Sequence, residues 1–298
     1  MSERSLKERL EGALGTVSHA MDYTRHLLQG NRLRGDMSWV KAGAPPVLLI
    51  HGFGGTRGTM LPLTRRLQAD GRAVFSYSFG TFQMASLRVS AEGLLRHVRS
   101  ICEELAVPEI DLVGFSMGGL VATHAVKFLQ AHLWVRRMVT LGSPFAGTWV
   151  GLAGVATVGG VSPSVWQVLP GSKFLEELRI APLPPNVKMR QVHGSVDFFC
   201  PPPGPINGVH PRDYVLLPGG HSTLVVAPHV YEAVREFLDA DDDVLAQQSD
   251  AAVWAPAELA HDELAPEARA PHELAPEARA PEARAPHDLA VPGADGIV

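Results

Sequence analysis

The stretch "LVGFSMGGLVATHAV", Leu112–Val126, decides the fold because it places one serine among glycines directly after an apolar run. Residues 114–118 match the pattern G-x-S-x-G, here between a predicted strand and a predicted helix. The sharp turn strains the backbone of Ser116 and lifts its hydroxyl off the sheet edge, and the helix N-terminus favours negative charge there. The pattern predicts a nucleophilic serine. The alternative is a glycine-rich turn in which Ser116 caps the helix.

Working outward from this stretch, strands and helices alternate along the chain. The short apolar run 47–50 predicts a buried strand, and further strands are predicted at 73–78, 110–113, 137–141, 188–193 and 213–218. Helical spacing of apolar residues predicts helices at 59–69, 84–106, 117–130 and 222–238. This alternation predicts an α/β fold with a mostly parallel central sheet and helices on both faces.

A nucleophilic serine needs a base and an acid, which follow it in the order Ser, Asp or Glu, His when the serine lies in this turn. Asp197 lies three residues into the loop after the predicted strand 188–193. The alternatives for the acid are Asp213, which begins a predicted strand, and Glu177, which lies on a predicted helix.

His221 follows the last predicted strand, after two glycines, and is the predicted base. The chain has 13 histidines, and position in the chain argues against the rivals considered, which are His51, His124, His193, His210 and His229. Each of these precedes the nucleophile or the acid, precedes the last strand, or lies within a helix. In the alternative interpretation, His221 is a structural histidine and Asp197 a turn residue.

The charge that develops on the carbonyl oxygen needs two backbone donors. The N–H of Met117 is one candidate, because it directly follows Ser116. The glycine-rich loop "LLIHGFGGT" (48–56) supplies the other candidate, the N–H of Phe53. His51 is predicted to orient this loop, which in the alternative is merely a flexible turn.

These motifs together resemble the α/β-hydrolase superfamily. The segments "HGFGGT" (51–56), "GFSMGG" (114–119), "LGSPFAGT" (141–148) and "GGHSTL" (219–224) carry the resemblance, which covers about 45–240 and is closest to bacterial triacylglycerol lipases and esterases. It implies hydrolysis of carboxylic esters by Ser116, His221 and Asp197. Some such lipases bind calcium or zinc, but no cluster in this sequence demands a metal, and no cofactor is expected.

No charged residue lies between Met138 and Ser172. This composition predicts an apolar lid or acyl-binding wall at about 145–180, where insertions in this fold often cover the active site. The residues expected to contact substrate are Trp149, Val150, Leu152, Val165 and Trp166. The alternative is a buried helix without a substrate role. Peripheral contact with lipid surfaces is a further hypothesis.

The composition divides the chain of 298 residues into three segments. Residues 1–40 are a predicted N-terminal helical segment and 41–240 the predicted catalytic domain. Residues 241–298, which repeat "ELAPEARAP", are a predicted disordered tail with 13 acidic residues against three arginines. No Lys/Arg block suggests nucleic-acid binding, and no apolar run is long enough for a transmembrane helix. No secretory signal is visible, so the cytoplasm is the default expectation.

The sequence therefore predicts a serine hydrolase that cleaves carboxylic esters of lipid-like substrates through an acyl-enzyme. Two alternatives use the same triad: an acyltransferase and a thioesterase. A third is a non-catalytic binding protein built on a hydrolase fold.

Overall fold

The computed structural model describes residues 19, 21–24, 44–79, 85–149 and 162–241. The predicted tail beyond Asp241 lies outside these residues, as do most of the predicted N-terminal segment and two predicted substrate contacts, Val150 and Leu152. Within the N-terminal segment, residues 21–24 are helical, and the ring of Tyr23 packs against that of Phe115 with 6.0 Å between the centroids.

Six parallel strands form one sheet in the order β2-β1-β3-β4-β5-β6. Their bounds are β1 Val47–Ile50, β2 Val74–Tyr77, β3 Ile110–Phe115, β4 Val135–Leu141, β5 Lys188–Gly194 and β6 Tyr214–Leu217. Each coincides with a predicted strand to within two residues, so the predicted α/β class with a parallel sheet is confirmed. The carboxyl ends of all six strands meet at one edge.

Seven α-helices occur among the described residues after the first strand. They are α1 Leu61–Ala69, α2 Leu87–Leu105, α3 Met117–Phe128, α4 Pro163–Gln167, α5 Lys173–Ile180, α6 Thr223–Val226 and α7 Pro228–Asp239. Short 3₁₀ turns occupy Arg57–Met60, Ala131–Leu133 and Pro211–Asp213. Within these residues, no helix is both long and apolar enough to cross a lipid bilayer.

The strands are apolar on both faces because helices cover both. Leu48 and Leu112 belong to one core, which also holds apolar residues of α2, α3 and α5. Val47 and Val113, one residue away in the same strands, belong to a second core with α1, α6 and α7. Successive strand residues point to opposite faces, so a parallel sheet covered twice needs apolar side chains at nearly every position.

The last predicted helix, 222–238, is two helices in the structure. Pro228 begins α7, and Ala227 before it has an extended backbone with φ −74° and ψ 140°. Proline has no N–H to donate and disfavours helical conformation in the residue that precedes it. The break allows α6 to follow directly on the loop that carries His221.

A buried charge cluster lies at the amino ends of the strands, opposite the edge that carries Ser116. The carboxylate of Asp111 pairs with Arg136 at 2.8 Å and with Arg72 at 3.3 Å. Arg137, fully buried, donates from its guanidinium to the carbonyls of Phe237 and Leu238 at 3.0 and 2.7 Å. These arginines hold the end of α7 against the sheet.

Candidate active site

Ser116 lies between β3 and α3 with φ 54° and ψ −124°, a conformation that is strained for any residue with a Cβ. Its N–H donates to the carbonyl of Leu141 in β4 at 2.8 Å, which fixes the turn to the neighbouring strand. A Cβ on Gly118 would lie 2.4 Å from the carbonyl oxygen of Ile50. A Cβ on Gly114 would lie 2.6 Å from the Cα of Gly119. The glycines therefore fit a strand and a helix that touch through their backbones.

The loop after β1 lies directly against the serine. A Cβ on Gly52 would come within 2.8 Å of the Ser116 Cβ. The buried His51 ring donates from Nδ1 to the carbonyl of Gly52 at 2.9 Å, as expected for a residue that orients this loop. Phe53, the next residue, has an exposed ring, whereas Met117 is buried as the first residue of α3. Both predicted oxyanion donors thus belong to backbone that adjoins Ser116.

Asp197 and His221 form a hydrogen-bonded pair: Nδ1 of the imidazole donates to Oδ2 of the carboxylate at 2.7 Å. The other carboxylate oxygen, Oδ1, accepts from the N–H groups of Phe199 at 3.0 Å and Cys200 at 2.9 Å. Burial disfavours the charged imidazole, but Cys200 and the hydrogen bond and charge of Asp197 outweigh it and raise the pKa of His221. The surroundings of His221 therefore stabilise the protonated form of the imidazole.

The imidazole of His221 lies beside the serine turn. Its ring packs against that of Phe115, the residue before Ser116, with 4.7 Å between the centroids. Gly142, directly after β4, lies against the imidazole. A Cβ built on this glycine would be 3.1 Å from Nδ1 of His221 and 3.2 Å from its Cε1. The structure therefore brings the three predicted triad residues to one edge of the sheet.

Comparisons with known proteins agree with this architecture. The palmitoyl protein thioesterase family model matches residues 46–166. Aspergillus fumigatus lipase B superposes with a TM-score of 0.56 at 16% identity, over 70% of this chain and 56% of the lipase. A mature Bacillus licheniformis lipase gives the same TM-score and identity, over 68% of this chain and 96% of the lipase.

The chain has the α/β-hydrolase fold. The predicted fold is thereby confirmed. The chain spans just over half the length of the Aspergillus enzyme. None of the curated protein sequences compared with the chain is significantly similar to it.

Each of the two alternative acids, Asp213 and Glu177, is paired with an arginine. Asp213 is buried and accepts from the guanidinium of Arg190 at 3.2 and 3.3 Å. Glu177, half exposed on α5, pairs with Arg88. Arginines balance the charges of these two carboxylates, whereas Asp197 is hydrogen-bonded to His221. The geometry therefore favours Asp197 as the acid.

Two of the rival histidines, His124 and His193, lie in buried environments unlike that of His221. His124 is buried on α3 between Phe128 and Phe174, and burial lowers its pKa to about 4. His193 is buried on β5 against the ring of Tyr214, and burial likewise lowers its pKa to about 4. Both are therefore neutral near pH 7.

The loop that carries Asp197 is held by two side chains that sequence reasoning missed. Gln191 in β5 accepts from the N–H of Ile206 at 2.8 Å, and the Tyr214 hydroxyl accepts from the N–H of Gly204 at 3.0 Å. Gln191 and Tyr214 are neighbours in register. The polar side chain of Gln191 was a weak signal, because β5 also contains Lys188, Arg190 and His193. For Gly142 the signal was weaker still, because it was only a glycine directly after a predicted strand.

The predicted substrate contacts fall in different environments. Trp149 and Trp166 are exposed, Val165 is buried in the short helix α4, and Val150 and Leu152 lie outside the described residues. The residues that adjoin the site include four exposed aromatic side chains, here called the aromatic rim: Phe53, Trp149, Phe198 and Phe199.

A separate cleft of about 540 Å³, lined by residues that include Phe145, Leu175 and Arg179, does not include Ser116 or His221 in its wall. Among the residues that the structure describes, no group of three or more metal-ligating side chains is present.

Proposed function

We propose that the chain is a serine hydrolase that cleaves acyl esters or thioesters through a covalent acyl-enzyme. The observation that carries this proposal is the Asp197–His221 pair, joined at 2.7 Å and adjoining a serine in a strained strand-to-helix turn. A hydrogen-bonded acid and base next to a serine in such a turn is the arrangement that activates a hydroxyl. The matching family model and the lipase neighbours support hydrolase function in general terms.

In the proposed mechanism, Ser116 Oγ attacks the substrate carbonyl carbon while its proton passes to Nε2 of His221. The Nδ1–H of the imidazole stays on the hydrogen bond to Asp197, which stabilises the charged ring. The N–H groups of Phe53 and Met117 would stabilise the oxyanion. His221 then gives its proton to the departing oxygen or sulfur atom. A water molecule releases the acyl group by the same steps in reverse order.

The aromatic rim and the charge-free stretch 138–172 favour an apolar, lipid-like substrate. Each methylene removed from water contributes about 0.8 kcal/mol to binding. The neighbouring structures are named as lipases, which favours an oxygen ester. The match to the palmitoyl protein thioesterase model favours a second candidate, an acyl thioester.

Labelling by a fluorophosphonate probe tests the nucleophile. We expect the wild-type protein to be labelled, and the Ser116→Ala and His221→Ala variants to lose the label. Ser100→Ala, which removes a surface hydroxyl on α2, is the matched control and should label like wild type. An unlabelled wild-type protein would refute the proposal and favour a non-catalytic binding protein.

A second experiment distinguishes the two substrate classes. Oxygen esters and thioesters with the same acyl chain are compared by kcat/KM, because a common acyl group isolates the effect of the scissile bond. A preference for the thioester after correction for its intrinsic hydrolysis rate assigns a thioesterase. Product analysis with added alcohol shows whether the acyl group goes to water or to another acceptor, which would indicate an acyltransferase.

A further inference from the structure

Phe199 makes three contacts with the catalytic region, and two of them use only its backbone. Its N–H donates to Oδ1 of Asp197 at 3.0 Å, and its carbonyl oxygen accepts from the hydroxyl of Thr148. Its ring lies against the imidazole of His221, with 6.0 Å between the centroids and 37° between the planes. The backbone contacts fix the position of the Phe199 backbone beside the Asp197–His221 pair.

Two phenyl rings contact the imidazole, but only one is open to a ligand. The Phe115 ring is 1% exposed, so it holds the imidazole from the protein side. The Phe199 ring is 57% exposed. An apolar ring held open to solvent beside a catalytic base keeps surface that a bound molecule can cover.

The chemistry of acyl transfer decides which part of a substrate reaches this ring. His221 must deliver its proton to the departing oxygen or sulfur atom, so that atom lies within hydrogen-bonding distance of the imidazole. The first carbon groups on the departing atom can therefore reach a ring centred 6.0 Å from the imidazole centroid. The carbonyl oxygen, by contrast, points toward the backbone of Phe53 and Met117 in the proposed mechanism.

We propose that the ring of Phe199 forms one wall of the leaving-group site, so that the enzyme prefers substrates whose departing alcohol or thiol is apolar next to the scissile bond. This inference rests on the proposed serine hydrolase function and adds a specificity-determining residue to it.

The test compares Phe199→Ala with wild type on two series of esters. One series keeps the acyl group that the wild type cleaves fastest and varies the alcohol from ethyl to phenyl to 2-naphthyl. The other keeps p-nitrophenol and varies the acyl chain. The ratio of variant to wild-type kcat/KM cancels the intrinsic reactivity of each ester, and kcat/KM reports the steps that precede departure of the alcohol.

We expect Phe199→Ala to lower kcat/KM for the 2-naphthyl ester about fivefold more than for the ethyl ester, the factor for removing about 40 Å² of apolar contact. The acyl series should show a constant ratio. Phe199→Leu, which keeps an apolar side chain, should retain most of the preference. Leu133→Ala, which removes an apolar side chain that is 58% exposed on the turn before β4, at the opposite edge of the sheet, is the matched control and should behave like wild type.

An equal loss on all esters would overturn the inference, because it would show that the ring only supports the imidazole. A ratio that follows acyl-chain length, or no change at all, would overturn it too. Fluorophosphonate labelling of the same variants keeps the two proposals separate, because a protein that labels at Ser116 but shows no leaving-group effect refutes only the role of Phe199.

Discussion

Replacing Gly142 with alanine should disable catalysis while leaving the protein folded. Gly142 has φ 58°, and an alanine in this left-handed region costs about 1–2 kcal/mol. The new Cβ would lie 2.6 Å from Cδ1 of Leu224 and 3.1 Å from Nδ1 of His221. Carbon atoms pack best at about 3.5–4.0 Å, so the leucine must retreat by about 1 Å and the imidazole by a few tenths of an ångström.

These movements have separate consequences for stability and for rate. With the backbone cost included, the free energy of unfolding should fall by about 2–4 kcal/mol. The imidazole must shift although its hydrogen bond to Asp197 is only 2.7 Å long. A misplacement approaching 1 Å lowers catalysis about 100-fold, so kcat/KM for a p-nitrophenyl ester should fall by up to that factor.

Gly171→Ala is the matched control for this prediction. Gly171 has φ 77°, but nothing lies within 4 Å of a Cβ built on it. The control should show a similar backbone cost in urea unfolding and keep kcat/KM within about twofold of wild type. If Gly142→Ala also kept kcat/KM within about threefold, the inference that this glycine positions the imidazole would be wrong.

Three further changes test other parts of the molecule. Asp197→Asn should lower kcat about 10⁴-fold, because the amide favours the wrong tautomer of His221; a loss below about tenfold in ester hydrolysis would contradict this role. Because the pKa of His124 is lowered to about 4, the unfolded state binds a proton that the folded state does not between pH 6.5 and 4. The unfolding free energy should therefore fall by about 2–3 kcal/mol for this group as pH drops through that window, and urea titrations of His124→Phe should show a smaller fall. Arg137→Met should lower the unfolding free energy by about 3 kcal/mol, since it removes the guanidinium that donates to the carbonyls of Phe237 and Ala240 at the end of α7, yet kcat/KM should stay within about twofold of wild type.

Local patterns were enough to predict the sheet and most helices. Short runs rich in apolar residues are typical of strands in a sheet covered on both faces, and β1 and β3 follow that pattern. The break at Pro228 is also a local signal, but the apolar spacing of 222–238 obscured it. The positions of Ser116, Asp197 and His221 could be predicted because each follows a strand, and parallel strands end at a common edge.

The rest depends on contacts between segments that are distant in the chain. Gly142 lies against the imidazole of a residue 79 positions further along the chain, and the residues next to Gly142 in sequence do not predict that contact. The pairing of Gln191 with the N–H of Ile206 likewise depends on how an irregular loop folds back over β5. Loops without periodicity give no rule for such contacts, so sequence patterns predicted the strands that carry the site more completely than the loops that adjust it.

The glycines packed around Ser116 have a practical meaning for anyone who wishes to retarget this protein. At positions 52, 114, 118 and 119 a methyl group would meet another atom at 2.8 Å or less, so randomising them would yield mostly misfolded proteins. The aromatic rim, in contrast, projects into solvent, where side chains can be exchanged freely. A combinatorial library confined to those four rim codons would sample new selectivities and leave the glycines around Ser116 unchanged.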